Sequence, residues 1–99
     1  MRMLLTVQMD TEKSNKLIED DKLTEFMQEA VGRLRPEAAY FGAQEGQRTG
    51  FIVFDLNEVS DIPSIAEPFF SQLGAKISFI PVMNLDDVRG GLAKAAQGS

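Results

Sequence analysis

Few residues in this chain are equipped for chemistry. Asp55 is the one charge in the apolar stretch TGFIVFDL, residues 49–56. Buried there, a carboxylate has a raised pKa and serves as a general acid or base. At a strand end it is instead solvated, or caps the NEVSD turn that follows, and this is the simpler reading. Glu67 precedes Pro68 within a helical pattern. A kink there would present exposed backbone and a carboxylate to a ligand; an exposed helix face is the simpler reading. Tyr40 stands among small residues in AAYFGA, 38–43. Its hydroxyl can donate to a ligand oxygen at a cleft mouth, or its ring can fill core with the hydroxyl left wet. Asp55, Glu67 and Tyr40 are thus the catalytic candidates, and no motif fixes a catalytic set.

The ligand-binding candidates are Thr6, Gln8, Tyr40 and Arg48. Thr6 and Gln8 are polar on a strand face expected to be covered, so they line a pocket or pair across a dimer. Arg48 can hold a ligand carboxylate, although pairing with Asp10 is simpler. The acidic runs at 19–21 and 86–87 suit helix N-termini better than a divalent-ion site.

Absences narrow the chemistry further. The chain has no histidine, cysteine or tryptophan. Thiolate nucleophiles, Ser-His-Asp and Cys-His catalysis, and Cys- or His-based metal sites are excluded. No protein-ligated haem, no zinc site and no cofactor are expected. Ten basic and fifteen acidic residues give a net charge of −5, which argues against a nucleic-acid surface or an anionic membrane as partner. No run of 18 apolar residues occurs, and MRMLLTVQMD reaches Asp10 too soon for a signal peptide. The expected compartment is therefore the cytoplasm.

The elements that must position these residues follow from periodicity. MLLTVQM (3–9) alternates as a strand with Met3, Leu5, Val7 and Met9 on one face and Leu4, Thr6 and Gln8 on the other. EKSNKLIEDD is polar and weakly helical, anchored by Leu17 and Ile18. Leu23, Phe26, Met27, Ala30, Val31 and Leu34 form one helical stripe, ended by Pro36, with Arg35 biased to extended geometry. Residues 38–43 are a second strand, QEGQ a turn, and 49–56 a third strand, apolar on both faces and so central. Ser60 or Asp61 caps the next helix. Its stripe is Ile62, Ile65, Ala66, Phe69, Phe70 and Leu73, with Pro68 expected to kink or split it and Gly74 to stop it. Residues 75–83 form a fourth strand, placed at an edge by Pro81. Asn84, Asp86 and Asp87 start a final helix, with Leu85, Val88 and Leu92 as its apolar side. Gly90 and Gly91 read as a stop or a close backbone approach, and residues 94–99 as a frayed tail.

The order β-α-β-β-α-β with a C-terminal helix makes one domain, 1–99, of the α+β class. It is the ferredoxin-like split βαβ arrangement, strand order 4-1-3-2. Two helices cover one sheet face only. The other, apolar face is expected to pair with a second copy. In element order, length and C-terminal arm the chain resembles the dimeric α/β-barrel group. That group takes in muconolactone-isomerase-like, antibiotic-biosynthesis-monooxygenase-like and YCII-related proteins. Residues 65–92 (IAEPFFSQLGAKISFIPVMNLDDVRGGL) more closely resemble uncharacterised small bacterial proteins. The resemblance implies a homodimer with two sheets facing each other and a cleft between sheet and helices or inside the barrel. The histidine and tryptophan positions on which much of the group's chemistry depends have no counterpart here. Three functions remain open. They are a dimeric protein binding a small apolar or aromatic metabolite, a cofactor-free isomerase or cyclase using a carboxylate or tyrosine, and a non-catalytic interaction or regulatory subunit.

Overall fold

The computed structural model describes residues 1–98. Among them the chain forms β1 (Arg2–Gln8), α1 (Thr11–Glu19), α2 (Leu23–Gly32), β2 (Ala38–Gln44), β3 (Gln47–Asp55), α3 (Ile62–Leu73), β4 (Lys76–Pro81) and α4 (Leu85–Ala96). The sheet order is β2-β3-β1-β4 and all neighbours are antiparallel. This is the strand order read from the sequence, and it is compatible with a ferredoxin-like fold. The doubly apolar β3 is central, and β4, carrying Pro81, is an edge strand.

The core lies between the sheet and α1–α3. Met3, Leu5, Val7, Ile52 and Phe54 point to the helices and are buried. Met27, Ala30 and Val31 of α2 and Ala66, Phe69 and Leu73 of α3 close over them. Phe26 and Phe69 meet edge to face, with centroids 5.8 Å apart. Not every residue of the expected stripes is inside. Phe70 is 45% exposed, and outside the stripes Met1 and Met83 are 67% exposed each, so the Phe69–Phe70 pair and the methionines are only partly core.

The weakly patterned first segment is a full helix. Asp10 caps α1 by accepting from the Lys13 N–H at 3.0 Å. Leu17 packs on the core, while Ile18 is 45% exposed. Arg35 is not extended; it takes φ 48° and donates its N–H to the Gly32 carbonyl at 3.1 Å. The left-handed conformation avoids the right-handed helical region that Pro36 disfavours. The α3 start is carried by a 3₁₀ turn, Val59–Asp61, and neither Ser60 nor Asp61 makes a side-chain cap bond. Gly74, at φ 52°, ends the helix as expected.

Pro68 neither splits nor ends α3, which runs unbroken from Ile62 to Leu73. Proline removes one backbone donor and crowds the preceding turn. Ala66 on one side and Phe69 and Leu73 on the other are buried in the same core, and that anchorage holds the helix together. Pro68→Ala is accordingly expected to stabilise the fold by about 1–3 kcal/mol. Chemical denaturation at one fixed protein concentration measures it.

Candidate functional site

Register decides which face each candidate occupies. The hairpin between β2 and β3 turns at Glu45 (φ 55°) and Gly46 (φ 75°), pairing Gln44 with Gln47. Tyr40 then lies opposite Phe51, and Ala38 opposite Val53. Continuing through β1 and β4 gives two rows on the helix-free face. One is Ala38, Val53, Leu4 and Ile80; the next is Tyr40, Phe51, Thr6 and Ser78. Ile52 and Phe54 belong to the helix side.

Tyr40 is therefore not core-filling; it stands 73% exposed on the open face. Thr6 shares a hydrogen bond with Ser78, and Gln8 Nε2 donates to the Gln44 carbonyl at 3.1 Å. Both line a shallow depression of about 200 Å³ with Glu45, Thr49 and Lys76. Asp55 sits at the exposed end of β3, and its carboxylate accepts from the Met1 amino group at 2.7 Å. It borders a depression of about 270 Å³ that also contains Arg33, Asp61 and Ser64. Glu67 lies along a groove of about 500 Å³ between α2 and α3. The structure thus places the three catalytic candidates at three separate positions. Among the described residues no group of three or more His, Cys, Asp or Glu side chains is placed to hold a metal ion.

Arg48 has different surroundings. It forms no ion pair with Asp10, whose carboxylate is committed to the α1 N-terminus. Arg48 Nη1 instead donates to Ser14 Oγ at 2.7 Å. Ser14 is fully buried, and its hydroxyl donates to the Thr11 carbonyl at 3.3 Å. Among the described residues no carboxylate pairs with Arg48. Arg2, at the opposite end of the β1–β3 ladder, contrasts with it. There the Glu37 carboxylate, accepting from Arg2 Nε at 2.8 Å, raises the arginine pKa above its ordinary value.

Arg48 lines a cleft of about 720 Å³ on the helix side of the sheet. Leu23, Thr24, Met27, Gln28, Val31 and Gly32 of α2 form one wall, and Phe41, Gly42, Thr49 and Met9 the floor. The cleft exists because α2 leaves the inner face of the edge strand β2 partly uncovered, so that Phe41 is 56% exposed. The Phe41 ring lies across Gly50, where an added Cβ would stand 3.1 Å from the ring edge. A glycine is what lets the aromatic floor lie flat. The helical stripe places Leu23, Met27 and Val31 toward the core and carries no signal for a cleft beside them. Phe41 facing Gly50 was the available signal, but it appears only once the register is known.

No family model and no curated protein matches the chain. Among solved structures it is similar to the de novo designed protein Ferredog-Diesel. That similarity has 12% identity over 82% of this chain and 85% of that one, with a TM-score of 0.48. Among the described residues no helix is long and apolar enough to cross a membrane.

Proposed function

We propose that the protein is a homodimer that binds a small apolar or aromatic molecule in the cleft between α2 and β2. The observation that carries this reading is the cleft itself. Its volume of about 720 Å³ falls within the range of small-molecule sites, and its lining is mostly apolar with a few polar groups. None of Asp55, Glu67 or Tyr40 lines it, which favours binding over isomerase or cyclase chemistry.

The dimer is argued from the open sheet face. Leu4, Val53, Phe51, Tyr40 and Ile80 form a contiguous apolar surface there, which a second copy covers most economically as an isologous contact. Four strands and seven residues of β1 give a face about 19 Å wide and about 24 Å long. That is about 450 Å² of flat area, short of the roughly 800 Å² per partner of a standard interface. The arm α4 supplies more. The radius of gyration is 16.0 Å and the longest dimension 56 Å, against about 13 Å for the radius of a compact chain of this length. No residue of α4 is buried, so the arm stands away from its own core and is free to lie along a partner. Two facing sheets with crossed arms make the dimeric α/β barrel.

The test uses Gly32, the last residue of α2, which lines the cleft with nothing within 4 Å of an added Cβ. Gly32→Leu fills the cleft. It is expected to weaken binding of the neutral fluorescent probe N-phenylnaphthylamine at least tenfold. The same substitution should raise stability by roughly 0.5–1 kcal/mol, because leucine outranks glycine in a helix. Opposite signs on binding and stability separate site blockage from damage. Failure of the wild-type chain to bind the probe would remove the cleft reading.

A further inference from the structure

We infer that the cleft takes an anionic ligand, an apolar or aromatic carboxylic acid whose carboxylate sits on Arg48; this rests on the binding reading above. A guanidinium carries five N–H donors in a planar fork that matches a carboxylate, and it is always charged. Ser14 occupies one of those donors. No carboxylate lines the cleft: its polar residues are Thr24, Gln28, Arg48 and Thr49. Thr49 is itself engaged, donating Oγ1–H to the Gln47 carbonyl at 3.0 Å. The site therefore offers one fixed positive charge at the end of an otherwise apolar surface, in a chain whose net charge is −5.

The support behind Arg48 points the same way. Ser14 is the one buried polar residue of α1, and among the described residues its hydroxyl hydrogen-bonds Arg48 and the Thr11 carbonyl. A serine sealed in that position holds the guanidinium against the α1 side, at the Met9 and Thr49 end of the cleft. Met27, Val31 and Phe41 then face the ligand body, while Arg48 faces its head. A neutral hydrocarbon gains the apolar contacts alone. An acid of the same shape adds charge-assisted hydrogen bonds, roughly twice as strong as neutral ones.

Competition against bound N-phenylnaphthylamine tests this with two ligands of one shape, naphthoate and methylnaphthalene. For the wild-type chain, naphthoate is expected to displace the probe at a concentration at least tenfold lower. Arg48→Met is expected to abolish that preference by weakening naphthoate, with methylnaphthalene unchanged; Arg48→Lys should retain part of it. Raising the salt concentration on the wild-type chain supplies a readout independent of any variant, and should weaken naphthoate selectively. Equal displacement by the two ligands, or a preference that survives in Arg48→Met, overturns the inference while leaving the cleft reading intact. Absence of probe binding overturns both.

Discussion

Val53→Glu is expected to turn a dimer into a folded monomer of 10.9 kDa. Val53 stands in the most apolar row of the open face, between Ala38 of β2 and Leu4 of β1, with Ile80 beyond. In an isologous contact each copy brings the same residue to the same surface, so one substitution places two carboxylates in the interface. Burying an unpaired charge costs several kcal/mol, and a loss of about 3 kcal/mol or more corresponds to more than a hundredfold in the dimer dissociation constant. The folded core should be unharmed, because Ile52 and Phe54, not Val53, face the helices. Val59→Glu is the matched control. Val59 is 72% exposed on the turn before α3, away from the face, and should leave association unchanged. Sedimentation across micromolar concentrations, with circular dichroism to confirm folding, reads the result. A wild-type chain that is already monomeric there, or a Val53→Glu variant that still dimerises, removes the sheet-face dimer.

What was legible in the sequence was what depends on local periodicity. The alternation through residues 3–9 and the two helical stripes gave the core faces of β1, α2 and α3. The β-α-β-β-α-β order then gave the strand order, and Pro81 at an edge and the doubly apolar third strand at the centre agreed with it. Register-dependent features were not legible. AAYFGA contains small residues on both sides, so nothing local says whether Tyr40 or Phe41 turns inward. The Glu45–Gly46 turn settles it by pairing Gln44 with Gln47, and a one-residue slip would exchange the two aromatics. Ser14 was missed for a related reason. A polar residue in a polar helix carries no burial signal, and its partner Arg48 is 34 positions away. The split expected at Pro68 does not occur, because the local penalty was visible in the sequence and the tertiary anchorage of Phe69 and Leu73 was not.

Deleting residues 84–99 is the test of the arm, and it is expected to weaken the dimer about ten- to a hundredfold while leaving the fold of the remaining chain in place. The start of α4 is built as the sequence indicated. Asn84 accepts from the Asp87 N–H at 2.8 Å, and Asp87 returns the bond to the Asn84 N–H at 3.1 Å, a reciprocal cap. Arg2 Nη1 lies 3.9 Å from Asp87 and holds the root of the arm to β1. Beyond the root the glycines do not act as a stop. Gly90 and Gly91 are helical, and α4 continues to Ala96, taking in residues 94–96 of the expected tail; Ser99, the last of that tail, lies outside the described residues. A free helix of this length is marginal in water even with good caps, and this one carries two glycines that each cost about 1 kcal/mol. On its apolar side Leu85, at 73%, and Leu92, at 66% exposure, stay open to water, while Val88 between them is half-buried. Beyond the helix's own backbone, nothing described lies within 4 Å of a Cβ added at either glycine, so a second backbone can approach there without displacing a side chain. Covering the two leucines gains roughly 1.5–3 kcal/mol for each side chain fully buried. Ordering the arm takes back part of that gain, which leaves the expected tenfold to hundredfold. Leu85→Ser with Leu92→Ser should reproduce most of the loss with the helix still present. A well-folded truncation that dimerises as tightly as the full chain would show that the arm has no place in the interface.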